Sequence, residues 1–479
     1  MKVLLTGPTG YIGRRLTERL LEEKDVRLRL FVKDIRRLSE AARQNAEIIE
    51  GDLFDKEDLR RAVAGIDVVY YPIRFFWMGT EFDGLQQTFS RQFRDACIDA
   101  GVKKIIYLGV LGSHNTEDNL HRNFVETGEV LSAFPDKIRT IWLRAGFVIG
   151  SGSFLFDVLT SLVRNVPLIF TPRWMEAKLI PLGIADTLEY LTQARNIGGE
   201  DNLVIDLGAE MISFRDMLKE TSQVLGLKRI FIPLPFAAHS FFSFLLMLDT
   251  PFSYNLSFRF IGALKSRAMP YADISKDKAQ CCFPGISPLP FRGILERAFN
   301  AIESNKVVSR WTDSLADISY DDAEDALLRA VYRDVRKMDF GSVPPERIFR
   351  AIKSIGGKQG WFTFDILWKM RGFMDKLTGG FGTSLGKRAE SELRIGDMLD
   401  VWKVVDLREN QRLLLEAQMK VAGKAWLEFT IDGTTLIQTA YHFPVSLLGR
   451  LYWYCMLPFH FFIFRDMIES IVKRAEAGD

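Results

Sequence analysis

Three glycines spaced three residues apart follow the first apolar run of the chain. The stretch from Thr6 to Arg14 is TGPTGYIGR, with Gly7, Gly10 and Gly13 in a G-x-x-G-x-x-G pattern. Glycine lets a backbone turn tightly and approach a pyrophosphate, and a helix that begins here offers N–H groups and the positive end of its dipole. This spacing therefore predicts that the loop binds the phosphates of a dinucleotide.

The segments on either side of the glycines fit that prediction. KVLLT at 2–6 has no charge after Lys2, as in a buried parallel strand. After the loop, YIGRRLTERLLEE carries apolar residues at helical spacing. The order of strand, glycine loop and helix separates a nucleotide-binding loop from an ordinary tight turn.

Further apolar runs continue the alternation of strands and helices. These apolar runs lie at 26–32, 46–53, 66–71, 103–109, 138–144 and 202–208, and helical stretches such as 82–100 lie between them. Repeated strand–helix units predict an α/β fold with a doubly wound parallel sheet.

The alternation stops where the chain becomes polar, between about 300 and 325. Beyond this point one helix is predicted at 344–357 and a long helix at about 446–475, and the predicted strands lie at 331–340, 400–407, 412–421, 425–432 and 435–443. The pair Asp432-Gly433 indicates a hairpin between the last two strands. We therefore expect a second domain of α+β type with an antiparallel sheet.

These patterns divide the chain into three parts. We expect a nucleotide-binding domain at 1–300, with substrate-side insertions at about 151–300, a linker at 301–328, and the α+β domain at 329–479.

Composition excludes some classes of protein. Lys and Arg number 63 and Asp and Glu 61, so the sequence lacks the basic excess of a nucleic-acid-binding protein. The cysteines match neither a disulfide framework nor a metal site, and they are Cys97, Cys281, Cys282 and Cys455. The first apolar run is shorter than that of a signal peptide. We expect a cytoplasmic protein without a bound metal.

Basic residues gather where the second predicted strand ends. An acidic residue at this place would bind the ribose 2′-hydroxyl of NAD. Here Lys33 is followed by Asp34, Arg36 and Arg37, and Arg14 follows the third glycine. Basic groups suit a 2′-phosphate and favour NADP(H) over NAD(H). Asp34 leaves NAD(H) open, and the arginines are equally compatible with solvated helix charges.

Four strings, TGPTGYIGR, VKDIRRL, EGDLFD and AGVKKIIYLGVLGS, resemble the atypical short-chain dehydrogenase/reductases, in particular the NmrA-like and extended groups, over roughly residues 1–300. The resemblance implies an NAD(P)-binding Rossmann fold, with Asp52 and Leu53 beside the adenine. The residues assigned to the cofactor are Gly7, Thr9, Gly10, Tyr11, Ile12, Gly13, Arg14, Lys33, Arg37, Asp52 and Leu53.

The catalytic Tyr-x-x-x-Lys pair of that superfamily is absent here. If Glu126 corresponds to the glutamate that commonly follows the lysine, Arg122 takes the lysine position and Asp118 the tyrosine position. No tyrosine occurs between Tyr107 and Tyr190.

Three interpretations of this segment remain open. His121 could donate a proton near neutral pH in place of the tyrosine, unless it is an ordinary surface histidine. Arg122 could keep a ribose or phosphate contact without any proton transfer. A substrate with its own acidic proton would need no protein acid. Ser113, the only nearby serine, fits a helix cap better than a catalyst.

The second domain resembles the helix-grip fold of the START-like and polyketide-cyclase superfamily. Two strings, GGKQGWFTFDILWKMRGFMDKLTGG and GRLYWYCMLPFHFFIF, resemble a domain of unknown function often fused to these reductases. The resemblance implies an apolar ligand between the sheet and the long helix. Candidate lining residues, for which core packing is the alternative, are Trp361, Trp368, Trp402 and Trp426.

The aromatic stretch 451–464 is too short to span a bilayer and contains Pro458. A buried core helix is the first interpretation. The second is peripheral contact with the inner face of the membrane, because the aromatic residues 452–454 suit an interface and Arg450 and Arg465 flank the stretch.

Taken together, the sequence favours an NADP(H)-binding oxidoreductase that acts on a hydrophobic quinone, enone or carbonyl compound. The alternatives are a catalytically silent NADP(H)-binding sensor or structural protein, and a protein that binds or transfers lipids or other apolar ligands.

Overall fold

The computed structural model describes residues 1–72, 83–111, 119–234, 239–249, 254–265, 276–304, 306–311, 332–356, 361, 393–418, 423–444 and 447–477; for some residues within helices and strands, His121 among them, it describes the backbone alone. The chain divides into two compact units. One consists of Met1–Phe242 and Phe258–Leu315, and the other of Ser243–Ser257 and Ala316–Asp479.

The elements up to residue 303 belong to the first unit, except that Ser243–Ser257, which contains the end of the helix at 239–249 and the start of the helix at 254–265, belongs to the second unit. In chain order they are β1 (Lys2–Thr6), α1 (Tyr11–Leu21), β2 (Arg27–Val32), α2 (Glu40–Asn45), β3 (Glu47–Glu50), α3 (Lys56–Val63), β4 (Val68–Tyr71), α4 (Asp83–Asp99), β5 (Lys104–Val110), α5 (Asn119–Ser132), β6 (Arg139–Ala145), β7 (Phe147–Ile149), α6 (Phe154–Asn165), β8 (Leu168–Pro172), β9 (Lys178–Leu179), β10 (Pro181–Gly183), α7 (Ile184–Ala194), β11 (Leu203–Leu207), β12 (Ile212–Ser213), α8 (Phe214–Val224), β13 (Ile230–Leu234), α9 (His239–Asp249), α10 (Tyr254–Lys265), α11 (Lys276–Cys282) and α12 (Phe291–Glu303). The predicted strands and the helix at 82–100 are confirmed to within a few residues.

Seven of these strands form one parallel sheet in the described part of the unit. Their order is β11-β6-β5-β4-β1-β2-β3, and every neighbouring pair is parallel. The order reverses between β1 and β4, and in such sheets ligands bind at the carboxyl ends of the strands beside this reversal. The predicted doubly wound sheet is confirmed, and the glycine loop follows β1 at this place.

Helices bury both faces of the sheet. Leu16 and Leu20 of α1 pack with Val3 and Leu5 on one face, while Leu59 of α3 and other residues of α3 and α4 pack with Leu4 on the opposite face. Burial of both faces explains why the strands are continuous apolar runs rather than alternating ones. Each fully buried aliphatic side chain contributes about 1.5–3 kcal/mol to the free energy of unfolding.

The predicted linker at 301–328 begins too early. Residues 301–303 complete α12, and Val307, Ser309 and Trp311 are buried in the first unit. Polar composition predicted a linker here, but the polar groups of Ser309 and Trp311 form hydrogen bonds within the first unit. Residues 312–328 lie outside the described residues.

The second unit contains a six-stranded antiparallel sheet. Its elements are β14 (Tyr332–Asp339), α13 (Pro345–Lys353), β15 (Met398–Leu399), β16 (Trp402–Arg408), β17 (Arg412–Ala417), β18 (Gly423–Asp432), β19 (Thr435–Pro444) and α14 (Leu447–Ala477). The strand order is β14-β19-β18-β17-β16-β15 among the described residues. The predicted hairpin is confirmed, and its two-residue turn is Gly433-Thr434, because Asp432 pairs with Thr435.

Helices α13 and α14 cover one face of this sheet. Phe349 of α13 and Met467 of α14 share a buried core with Leu427 and Phe429 of β18. Trp426 directly precedes Leu427 in β18, so its side chain points to the opposite face of the sheet, where it packs in a separate cluster with Val405 and Leu414. It therefore faces away from α14.

The tryptophan prediction for this unit consequently changes. Trp426 cannot line a space between sheet and helix, while Trp361 and Trp402 belong to the helix-side core, with ring centroids 6.1 Å apart. Trp368 lies outside the described residues. Within the described part of the chain, no helix has the length and apolarity to cross a bilayer.

Candidate functional site

The glycine loop leaves the start of α1 without a side-chain cap. Gly7 has a φ of 63°, a left-handed conformation that favours glycine. The N–H of Gly10 donates to the carbonyl of Gly7 at 3.3 Å, and Gly10, the N-cap residue, has no side chain to bond the first-turn amides. Such a helix start is a ready anion-binding site.

Gly13 allows α1 to lie against the loop. A Cβ added at Gly13 would be 2.0 Å from the carbonyl oxygen of Gly7 and 3.0 Å from the Cα of Pro8. No side chain fits at this distance, so the third glycine is required for the backbone to close on itself. These residues fit a bound pyrophosphate.

Tyr11 and Ile12 position the helix start and offer the ligand only their backbone. Ile12 belongs to the core beneath the sheet. The Tyr11 hydroxyl donates to the carbonyl of Ser151 at 3.4 Å. Burial raises the pKa of Tyr11 to about 12, although the positive charge of Arg15 opposes this change, so the phenol is protonated near neutral pH.

Arg14 supports the loop from within. Its side chain is buried, and its Nε donates to the carbonyl of Thr9 at 2.9 Å. The sequence assigns Arg14 and Thr9 to the cofactor, and the structure shows that the two residues order the loop between the glycines.

Residues 306–311, which the sequence analysis places in the linker, contact the first turn of α1. The Ser309 hydroxyl donates to the carbonyl of Tyr11 at 2.7 Å. Ser309 in turn accepts from Nε of Arg15 at 2.9 Å, and the Arg15 guanidinium also donates to the carbonyl of Ser151 at 2.8 Å. Arg15, Ser151 and Ser309 are supporting residues that sequence reasoning missed, because these contacts join distant parts of the chain. We call residues 306–311 the clasp.

The clasp is fixed at its far end by Trp311. Its indole Nε1 donates to Asp157 Oδ2 at 2.9 Å, and its backbone N–H donates to the carbonyl of Gly152 at 2.8 Å. A Cβ added at Gly152 would be 2.6 Å from the Ser309 carbonyl oxygen. Burial raises the pKa of Asp157, although Arg310 and Trp311 oppose this change.

At the end of β2, Asp34 is paired with a neighbouring arginine. Its carboxylate accepts from Nε and a terminal nitrogen of Arg36 at 2.9 and 2.8 Å, and from the Arg36 backbone N–H. Burial alone would raise the pKa of Asp34, but these bonds and the charge of Arg36 hold it below its usual value. Lys33 is exposed and Arg37 is half-buried in the same turn.

At the end of β3, Asp52 forms a local turn. Its Oδ1 accepts from the N–H of Phe54 at 2.9 Å, and its own N–H donates to Asp58 Oδ2 at 2.9 Å. Leu53 packs against the core under α3 and α4. The parallel sheet thus brings the glycine loop, the β2 turn and the Asp52 turn to the same edge.

The catalytic segment is described only in part. Ser113 and Asp118 lie outside the described residues, and His121 is placed by its backbone in the first turn of α5. Arg122 in the same turn is exposed. Tyr107 is fully buried and donates to the carbonyl of Phe124 at 2.9 Å, so it does not replace the missing tyrosine. The described residues contain no cluster of His, Cys, Asp or Glu that could hold a metal ion.

Two protein-family models match separate parts of the chain. Residues 7–137 match a model described as NAD(P)H-binding, and residues 326–467 match a model described as a protein of unknown function, DUF2867. No curated protein matches the chain. The helix-grip resemblance of the second unit stays a prediction.

Solved structures resemble the first unit. Triphenylmethane reductase from Citrobacter sp. is 18% identical with a TM-score of 0.53, over 63% of this chain and 100% of its own. Its complex with NADP(H) is 18% identical with a TM-score of 0.52, over 62% of this chain and 100% of its own. A nucleoside-diphosphate-sugar epimerase from Staphylococcus aureus is 16% identical with a TM-score of 0.51, over 62% of this chain and 100% of its own. The first unit thus has the NAD(P)-binding Rossmann fold that these reductase and epimerase structures share.

Proposed function

We propose that the protein binds NADP(H) in its first unit and reduces a hydrophobic quinone, enone or carbonyl compound. The observation that carries this proposal is the uncapped start of α1 at the reversal of strand order, where Gly13 lies against Gly7. Backbone amides at this place would hold the pyrophosphate.

The β2 turn supports NADP(H) rather than NAD(H). Asp34, the acid that could accept from a ribose 2′-hydroxyl, is already engaged on both oxygens by Arg36. The exposed ammonium of Lys33 and the neighbouring Arg37 would favour a 2′-phosphate, which binds by charge-assisted hydrogen bonds.

Proton delivery distinguishes this protein from typical reductases. NADPH held by the glycine loop would supply a hydride to an electrophilic carbon of the acceptor and would be oxidised to NADP⁺. The proton that completes the reduction would come from His121 at the start of α5, or from water, because the superfamily tyrosine is absent. Acceptors that are activated without a tyrosine are therefore the favoured substrates.

The relatives point in the same direction. The Citrobacter enzyme is a reductase linked to bioremediation of triphenylmethane dyes and has been solved with NADP(H). Its aromatic substrates agree with the hydrophobic substrate class that we propose for this chain.

A second candidate is a catalytically silent protein that binds NADP(H) as a redox sensor. The replacement of the Tyr-x-x-x-Lys pair by Asp118 and the exposed Arg122 favours it. Both candidates share nucleotide binding and differ only in turnover.

The test is to titrate the full chain with NADPH and NADH by calorimetry, and then to follow NADPH absorbance while quinones, enones and aromatic aldehydes are added. The proposal expects tighter binding of NADPH than of NADH, and NADPH oxidation by at least one class of acceptor. A fall in turnover of at least tenfold in His121→Ala with unchanged NADPH binding assigns the proton to His121, and unchanged turnover assigns it to water. His239→Ala is the matched control, since His239 bonds the Phe258 carbonyl in α10. Binding without turnover favours the sensor, and no binding of either nucleotide contradicts both.

A further inference from the structure

The small parallel sheet of β8 and β13 in the first unit exposes apolar side chains on one face. Ile230 of β13 pairs with Leu168 of β8, and Ile232 pairs with Phe170, so these four side chains lie on the same face. Ile230 is 60% exposed, Leu168 44% and Phe170 40%, whereas Ile169, on the opposite face, is 2% exposed. We call Leu168, Phe170, Ile230 and Ile232 the apolar strip. A contiguous exposed patch of this kind marks a surface that meets a partner.

A basic cleft adjoins the apolar strip. Its volume is about 410 Å³, and its lining includes Arg229 and Phe231, the chain neighbours of Ile230, together with Lys228 and Lys219. No acidic residue lines it within the described part of the chain. The partner of this surface therefore meets positive charge beside apolar side chains.

The guanidinium of Arg229 is fixed in place without being neutralised. It donates to the carbonyl of Val163 at 2.5 Å and to the carbonyl of Arg164 at 3.1 Å. Carbonyl oxygens carry no net charge, so Arg229 keeps its positive charge. Arg164 itself is exposed in the last turn of α6 and adds a further basic group to the same region.

One carboxylate offsets one of these charges. Asp216 Oδ1 lies 3.1 Å from Nζ of Lys219, one turn away on α8. Arg164 and Lys228 are exposed, and Arg229 bonds only neutral carbonyls among the described residues. The surface beside the apolar strip thus carries a net positive charge.

Exposed apolar side chains beside positive charge suit the surface of a bilayer with anionic headgroups. Apolar side chains gain free energy by entering the boundary between headgroups and acyl chains. Each basic residue near an anionic lipid surface adds about fivefold to the affinity. A second copy of this chain suits the surface less well, because a two-fold contact through this face would bring the two basic clefts together.

We propose that the apolar strip and the basic cleft dock the first unit on a membrane that contains anionic phospholipids. The apolar strip enters the headgroup boundary, and the basic residues of the cleft contact lipid phosphates. This surface is separate from the aromatic stretch 451–464, and the proposal does not depend on nucleotide binding.

The test measures co-sedimentation of the full chain, at low salt, with two kinds of vesicle. One kind is phosphatidylcholine alone, and the other has equal parts of phosphatidylcholine and phosphatidylglycerol. We expect at least tenfold tighter binding to the anionic vesicles. Lys228→Glu should weaken that binding about tenfold or more, because it removes one attraction and adds one repulsion. Ile230→Ser should weaken it several-fold, because it removes an apolar side chain from the boundary.

Two matched variants change the same kinds of group elsewhere on the surface. Lys24→Glu makes the same charge change before β2, and Met211→Ser removes an apolar side chain that is 55% exposed. Both should bind the anionic vesicles as wild type does. Because all four positions are exposed, the unfolding temperatures should stay close to that of wild type.

The proposal is overturned by an absence of binding to anionic vesicles, by equal binding to both kinds of vesicle, or by equal loss in a variant and its control. Wild-type binding by either Lys228→Glu or Ile230→Ser also overturns it, and would place the membrane contact on another surface, such as the stretch 451–464. Sedimentation velocity tests the other occupant. A wild-type dimer that dissociates in Ile230→Ser would make the apolar strip a contact between copies and would likewise overturn the proposal.

Discussion

The hydroxyl of Ser309 donates to the carbonyl oxygen of Tyr11 at 2.7 Å, although 298 residues separate them in the sequence. The same hydroxyl accepts from Arg15 at 2.9 Å. One side chain therefore joins the clasp to Tyr11, the first residue of α1, and to Arg15 one turn further along the helix. The first turn of the helix that would hold the pyrophosphate is thus held from outside the glycine loop.

Ser309→Ala should weaken both the fold and the nucleotide site. Loss of a buried hydroxyl that donates and accepts leaves the Tyr11 carbonyl and Arg15 with unmet hydrogen bonds, which costs about 1–3 kcal/mol. We expect that decrease in the free energy of unfolding by denaturant titration, and NADPH affinity several-fold weaker by calorimetry. Ser304→Ala, at an exposed position, is the control. Equal behaviour of the two variants would contradict the role of the clasp.

Gly13→Ala should abolish nucleotide binding. The added Cβ would overlap the Gly7 carbonyl at 2.0 Å, so α1 and the loop must separate. Overpacking of this kind costs about 1–3 kcal/mol. Gly198→Ala is the matched control, since a Cβ there meets nothing within 4 Å. Calorimetry with NADPH and circular dichroism measure binding and folding, and NADPH binding of wild-type strength in Gly13→Ala would refute the loop geometry.

Lys33→Glu should change the nucleotide preference. A carboxylate in place of an exposed ammonium at the β2 turn would repel a 2′-phosphate, and loss of a charge-assisted contact corresponds to about tenfold or more in affinity. We expect weaker NADPH binding and little change for NADH. Lys24→Glu makes the same charge change before β2, at the opposite end of the strand. If both variants lose NADPH equally, the effect is one of net charge and the assignment of Lys33 fails.

Asp157→Asn should alter how stability depends on pH. Burial raises the pKa of Asp157 in the folded state, so the folded protein holds this proton more tightly than the unfolded chain. As pH rises from about 3.8, ionisation in the unfolded state therefore lowers the stability of wild type relative to the variant. We expect the unfolding temperature of Asp157→Asn, relative to wild type, to increase between pH 4 and pH 8. The exposed Asp136→Asn should show no such trend, and a flat difference for Asp157→Asn would refute the assignment.

The strands of the first unit could be predicted from sequence because both faces of the sheet are buried. Runs such as VLL at 3–5 and VVYY at 68–71 carry apolar or aromatic residues at every position, and the glycines mark the loop after β1. The antiparallel strands were predictable as well, because turn residues separate them. In both units the predicted elements depend on local pattern alone.

The supporting contacts of the site could not be predicted in the same way. Ser309 lies in a polar stretch that resembles a linker, and only the fold brings it to Tyr11. Asp34 was ambiguous because its pairing with Arg36 depends on the conformation of the β2 turn.

The clasp decides where the first unit can be cut for expression by itself. A fragment that stops at Glu303, where α12 ends, would remove the Ser309 hydroxyl from the Tyr11 carbonyl and leave Asp157 without its indole partner. A fragment that continues to Leu315 keeps all of these contacts. A fragment truncated at the end of α12 would therefore bind the coenzyme weakly because it lacks the clasp. Its weak binding would then reflect the choice of fragment and not a vestigial site in the protein.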